Sequence, residues 1–212
     1  MLKNIEVLTH SSIRIQSSSK TVYLDPFQLR EEPHDADFIF ITHDHYDHFS
    51  PEDIQRVCKE GTILVVPEKM AGKAEALASS VARIYTVKPG TYHEVNKMEF
   101  ETVPAYNLLK PFHPKSAEWV GYILRMGGKR IYITGDTDLT KEAKQVKCDI
   151  LLVPVGGTYT MDAKKAAELA NAIEPERAIP THYGTIAGKP EDADTFADNV
   201  YPHIKVEIIK QY

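Results

Sequence analysis

Six consecutive residues, His43-Asp44-His45-Tyr46-Asp47-His48, set three imidazoles and two carboxylates on one short stretch of backbone. Neutral imidazole and carboxylate are donors that zinc, iron and manganese take from proteins. So many donors in one place exceed the needs of one ion and point to a pair. The segment before them, residues 37–42, is apolar and aromatic without a helical period, and reads as a short buried strand. Alternation along an extended chain puts His43, His45 and Asp47 on one side, and a turn after Asp47 brings His48 to the same pocket. The rival reading is a solvated Asp/His turn that opens a helix. The buried strand immediately upstream argues against it, because a motif of this kind takes its meaning from context.

Other residues able to join a metal site stand singly, each just after a strand-like run: His10, Asp25, Asp136 and His182. Runs 5–8, 13–16 and 21–24 read as an antiparallel meander, ended by Pro26, which cannot continue a central strand. After the cluster, Ser50 and Pro51 open a helix that runs to about residue 59 and is stopped by Gly61. Residues 62–66 form a buried strand, and a second helix covers 67–77. Short strands return at 83–87, 91–95 and 98–103. A hairpin then joins 120–126 to 130–134 across Gly127-Gly128, with Asp136 just beyond it. Strand 150–153, a helix over 162–173 opened by Asp162, and strand 177–180 lead to His182. A helix after Pro190 and a strand at 205–209 complete the order. Strands followed by helices recur twice, which predicts an α/β fold.

A chain of 212 residues suits a single domain over 1–212. Its 42% hydrophobic and 26% charged residues are those of a soluble globular protein with a real core. The net charge of −5, with 25 basic residues scattered along the chain, leaves no footprint for nucleic acid and favours a small-molecule substrate. No apolar leader and no apolar run long enough for a membrane span are present in the sequence, so a cytoplasmic protein is expected. Cys58 and Cys148 are expected to pack as small hydrophobes rather than pair.

The HxHxDH cluster at 43–48, Thr134-Gly135-Asp136 and Thr181-His182-Tyr183-Gly184 resemble, in order and spacing, the metallo-β-lactamase-fold hydrolases. The likeness spans Thr9 to His182. Thr9-His10-Ser11-Ser12 followed by Asp25-Pro26 further resembles the branch holding the ascorbate-6-phosphate lactonases and N-acylphosphatidylethanolamine phospholipases. The resemblance implies a four-layer αββα sandwich, two mixed sheets flanked by helices, with a dinuclear site at one edge. It implies His43 and His45 on a first ion, Asp47, His48 and His182 on a second, and Asp136 bridging both. Two Zn2+ ions are expected, with Mn2+ or Fe as alternatives. Asp25 matches the family's early acid, which supports the ligand loop from behind.

One position departs from that pattern. Relatives bring a third histidine to the first ion from a mid-chain strand end, where this chain has Asn107. His113, swinging in from the loop 107–118, is the favoured replacement; a weak oxygen ligand from Asn107 is the other. The loop carries Leu108, Leu109 and Phe112 at its tip and is of the kind that covers an active site. The implied chemistry is attack of a metal-bound hydroxide on a small ester, lactone or phosphodiester. Asp47 would orient it, and His10 or Tyr183 would protonate the leaving group. Two other readings stand beside this one. A non-catalytic metal-binding scaffold draws on Asn107. A redox di-iron relative is disfavoured, because such relatives carry Glu where His45 stands and add a flavin domain.

Overall fold

Residues 1–209 are described by the computed structural model. Among them, the first sheet orders β1 (Leu2–Thr9), β2 (Ser12–Ser17), β3 (Thr21–Leu24), β4 (Ala36–Phe40), β5 (Cys58–Pro67) and β6 (Arg83–Val87) side by side. Its pairings are antiparallel through β3 and parallel beyond it. The second sheet runs in chain order through β7 (Tyr92–Val95), β8 (Met98–Pro104), β9 (Val120–Met126), β10 (Lys129–Ile133), β11 (Ile150–Pro154), β12 (Arg177–Thr181) and β13 (Lys205–Val206). It is antiparallel through β10 and parallel from there. Each sheet thus begins as a meander and ends in parallel crossovers, the doubling that the sequence pattern predicts.

From Phe38 on, both faces of β4 are buried, which is why residues 38–41 are a continuous apolar run rather than an alternating one. Phe38 and Phe40 point into the sandwich, where Phe40 meets Phe100 and Tyr122 with ring centroids 5.0 Å away. Ala36, Ile39 and Ile41 face outward onto α1 (Pro51–Val57) and α2 (Ala71–Ala74). The outer face of the second sheet packs on α3 (Lys141–Lys144), α4 (Ala163–Ile173) and α5 (Asp192–Asn199). The layers are therefore αββα.

Three local expectations change. Helix α1 ends at Val57 and β5 begins at Cys58, so Gly61 (φ +90°) lies inside the strand rather than stopping a helix. A register shift there is held by Thr62, whose Oγ1 donates to the Ala36 carbonyl and accepts from Lys59 N. The helix expected over 67–77 breaks into a 3-10 turn at Glu68–Met70, α2, and a second 3-10 turn at Glu75–Leu77. Gly72 weakens helix propensity in its middle. The last strand shortens to Lys205–Val206, which pair with Arg177 and Ala178 of β12, and Glu207 N adds a bond to the Ala178 carbonyl. Cys58 is buried, Cys148 is half-buried, and both are free. No helix among the described residues is long and apolar enough to cross a membrane.

The sheets leave no room at Gly121 in β9. A Cβ there would sit 2.5 Å from the Thr134 carbonyl oxygen and 2.7 Å from that of Ile133, both backbone. Gly121→Ala is expected to cost about 1–3 kcal/mol as an overpacking change. At about 2–4 °C per kcal/mol for a chain of this size, a thermal melt reads the loss directly.

Candidate metal centre

The clustered histidines lie at the edge where both sheets end, and the backbone is sewn to each. Ile41 N donates to the Val65 carbonyl on the first sheet, while Tyr122 Oη and Val120 N from the second donate to the carbonyls of Ile41 and Thr42. The chain does not stay extended to Asp47. It turns at His45, whose carbonyl accepts from His48 N and Phe49 N. His45 and Asp47 therefore serve different groups of donors. Asp44 points out to Lys73.

Asp25 fixes this loop from behind. Its carboxylate accepts from Thr42 N (2.8 Å), Thr42 Oγ1 (2.6 Å) and His48 Nδ1 (2.7 Å). That last contact turns His48 Nε2 toward the centre. Thr42 Oγ1 in turn lies 2.9 Å from His43 Nδ1, so the His43 Nε2 lone pair faces the same way. Gly135 (φ +62°) lets the Asp136 loop close onto Thr42, where even a Cβ would come within 3.1 Å. His10, Asp25 and His182 have left-handed backbone, which costs non-glycine residues roughly 1–2 kcal/mol each. The bond from His182 N to the His10 carbonyl, 3.0 Å, ties two of these loops across the sheets.

Three groups of donors result, the atoms within each lying no more than 4.8 Å apart. The first is His43, His45 and His113. The second is His10, Asp47, His48 and His182, and the third joins His43 and His48 to Asp136. Asp136 lies between the first two: one oxygen is 3.4 Å from His48 Nε2, the other 3.4 Å from His113 Nε2 and 3.2 Å from His182 Nε2. His113 comes in from the loop, and Asn107 is the residue that aims it. Asn107 Nδ2 donates to the Tyr159 carbonyl, which leaves its Oδ1 to accept from His113 Nδ1 at 3.1 Å.

These tautomers create a conflict that a cation resolves. With His43 Nδ1–H directed to Thr42 and His113 Nδ1–H to Asn107, their Nε2 lone pairs face each other at 3.4 Å in a dry interior. Among the described residues, His48 Nε2, Asp136 Oδ1 and both ring nitrogens of His182 are buried without a well-formed hydrogen bond. Buried polar atoms rarely remain so. The donor set fits divalent metal.

Charge sorts the histidines into two kinds. Burial works to lower His48 and His182, yet Asp136 and a second carboxylate outweigh it; His48 rises well above its ordinary value and His182 to about 9. Burial, with neighbouring imidazoles, holds His43 well below its ordinary value and lowers His45. His10 is lowered by burial, against its contact with Asp47. Burial opposes ionisation of Asp136, but His182 and His48 hold it well below the usual carboxylate range. Asp47 is lowered as well, burial being overcome by His10 and His182.

A cavity of about 260 Å³ opens onto the centre, lined by His45, Tyr46, Asp47, Phe112, Asp136, Tyr159 and Ile186. His10 and Tyr183 are not among these. His10 is fully buried behind Asp47, bonded to it through Nε2 and to Thr185 Oγ1 through Nδ1. Tyr183 packs in the core beneath α4 and α5. Neither is retained as the acid for the leaving group. Sequence reasoning passed over Thr42 and Trp119, and read Asn107 as a possible ligand rather than the support of one. Trp119 packs with its ring centroid 5.0–5.3 Å from those of His43, His45 and His113, tilted against the first and edge-on to the other two. A threonine immediately before HxHxDH was the available signal for the first; nothing in the sequence marked the second.

Comparison with known proteins gives the family and the fold. Residues 4–182 match the family described as Beta-lactamase superfamily domain. The chain belongs to that family. A solved structure from Parabacteroides distasonis, named as a metal-dependent hydrolase, superposes with a TM-score of 0.79 at 31% identity, covering 98% of this chain and 93% of that one. A UPF0173 metal-dependent hydrolase of Methanopyrus kandleri is 29% identical over 209 residues, 91% of this chain and 89% of the relative. A diiron beta-hydroxylase from Streptomyces venezuelae shares the fold, with a TM-score of 0.77 at 13% identity over 98% of this chain and 52% of its own.

Proposed function

We propose that this chain is a metal-dependent hydrolase that cleaves an ester, lactone or phosphodiester of a small molecule, using two divalent ions, with zinc first among the candidates. The observation that carries the reading is the facing pair of Nε2 lone pairs on His43 and His113, with Asp136 between them and the second group. The names of the Parabacteroides and Methanopyrus relatives support it. In this reading His43, His45 and His113 hold one ion, Asp47, His48 and His182 the other, and Asp136 serves both. Bound there, such ions supply a Lewis acid and lower the pKa of water from about 15.7 toward about 7.

The protein's own groups do the positioning. Neutral His10 donates from Nε2 to Asp47 and accepts the Thr185 hydroxyl at Nδ1, so the Asp47 carboxylate is held in one orientation at the cavity wall. Asp47, ionised at neutral pH, orients the attacking water through a hydrogen bond. The open cavity against Asp47 and Asp136 favours catalysis over an inert scaffold. Elemental analysis of protein purified without chelator is expected to find a pair of ions per chain, and their removal to abolish hydrolysis. Full turnover by metal-free protein would sink the reading; iron alone, with oxidase rather than hydrolase activity, would turn it toward the redox relatives.

Loading should also release protons. His48 and His182 are raised above neutrality in the metal-free protein and must each lose a proton to become ligands, whereas His10, His43 and His45 are lowered and already neutral. About two protons per chain are therefore expected from these histidines at pH 7, with any ionisation of bound water adding to them, measured by titrating metal in buffers of different ionisation enthalpy. The same shift means that the His182 contribution to metal-free stability is full below pH about 6.5 and disappears as pH rises through about 9.

A further inference from the structure

We propose that the cavity is built for a carboxylic ester or lactone carrying a neutral apolar group, and that it discriminates against phosphorylated or polyhydroxylated analogues. The inference rests on the hydrolase reading and narrows its substrate. Single exposed hydrophobics are ordinary on a protein surface. Here Tyr46, Phe112, Tyr159 and Ile186 come from four different loops, all exposed by 36–67%, and converge on one opening. Once the groups placed on the metals are set aside, these four make up the remaining lining.

Their placement is braced. Tyr46 packs edge-on against the buried Phe27, with centroids 6.0 Å apart, and Phe112 packs edge-on against Tyr159 at 4.8 Å. The bond from Asn107 Nδ2 to the Tyr159 carbonyl joins the two loops that carry this second pair. Two aromatic walls, each braced by a ring contact, present flat apolar faces to a flat or aliphatic group. Pockets of this kind take apolar ligands and leave orientation to a few polar groups.

Charge excludes the alternative. No Lys or Arg lines the cavity among the described residues. Lys110, on the covering loop, turns inward to Asp138, the Gly157 carbonyl and the Thr160 carbonyl, and Lys73 is paired with Asp44. A phosphoryl group distant from the scissile bond would find no guanidinium or ammonium partner, the usual means of holding one. The sugar-phosphate lactone suggested by the N-terminal sequence pattern is therefore disfavoured. In the reaction itself the oxygen of water bonds to the acyl carbon and the acyl C–O bond breaks. Its electron pair leaves as alkoxide, which takes up a proton, and the products are a hydroxyl and a carboxylate with one net proton released.

That net proton allows a pH-stat comparison of unlabelled lactones by the metal-loaded protein. δ-Decanolactone, glucono-δ-lactone and 6-phosphoglucono-δ-lactone share the ring and differ in the group it carries. The expected kcat/KM is about tenfold or more higher for δ-decanolactone, the scale on which an apolar contact discriminates. In Phe112→Ala and Ile186→Ala, surface changes that leave the core intact, that ratio is expected to fall about tenfold through KM. Equal or better use of either polar lactone, or an unchanged ratio in both variants, overturns the proposal. Hydrolysis of bis-p-nitrophenyl phosphate but of no lactone overturns it while leaving the hydrolase reading standing. No turnover of any of these by metal-loaded protein brings down both.

Discussion

Asp136→Asn is expected to lower hydrolysis by about a thousandfold or more and to leave the protein unable to hold its second ion. The side chain keeps its shape, so the effect isolates charge. In the native protein one oxygen faces His48 Nε2 at 3.4 Å and the other faces His182 Nε2 at 3.2 Å and His113 Nε2 at 3.4 Å. An amide offers one acceptor in place of two and no negative charge, and its NH2 would point at a ring nitrogen. Carbonyl oxygen is a poor partner for zinc beside imidazole. Losing a preorganised charge at a reacting centre typically costs a factor of about 10²–10³, before any loss of metal is counted. A second consequence separates this from simple unfolding. Asp136 is the leading carboxylate that raises His48 and His182 against their burial. Without it both histidines should titrate lower, and the proton release on metal addition at pH 7 should shrink. A folded variant with native metal content and activity within a few-fold of wild type would remove Asp136 from the centre.

The legible parts of this protein share a physical reason. HxHxDH after a two-face-buried strand could be read because the donors are clustered and the end of β4 nearest them, Phe38-Ile39-Phe40, is apolar on both faces. Asp136 and His182 could be read because parallel strands of one sheet end together, which brings residues just beyond β10 and β12 to one edge. What could not be read depends on contacts between loops. Asn107 and His113 lie six residues apart, and only the folding back of their loop, with Asn107 N bonded to the His113 carbonyl at 2.7 Å, makes one the support of the other. The assumption of an extended chain through Asp47 failed because hydrogen bonds to the His45 carbonyl close a turn there. His10 and Tyr183 were chosen for closeness in sequence to the motifs, and sequence gives no depth. One proved to lie behind Asp47 and the other in the core.

The second large effect concerns His113. His113→Ala is expected to empty the first group while sparing the second, so that metal content falls from a pair of ions to one. The second group does not depend on the loop: His48 is held by Asp25, and Asp47 by His10. The first group loses one of three donors, leaving His43 with the half-exposed His45. The chain's single tryptophan supplies a local reading, since Trp119 lies 5.3 Å from the His113 ring and 5.0–5.1 Å from those of His45 and His43. Metal addition to wild type should change its fluorescence in the step that fills the first group, and in His113→Ala that step should vanish. Asn107→Ala provides the graded case. It keeps the imidazole but removes the acceptor that fixes its Nδ1–H, and loss of such an outer partner typically weakens metal affinity by about 10–100-fold. The fluorescence step should then persist at higher metal concentration. If His113→Ala retains both ions and the full fluorescence change, the third donor of the first group is something other than His113. If Asn107→Ala matches wild type, the histidine is oriented by its loop alone. An ordered series, with Asn107→Ala between wild type and His113→Ala, is the outcome the geometry demands, because Asn107 acts on the metal only through the ring that it holds.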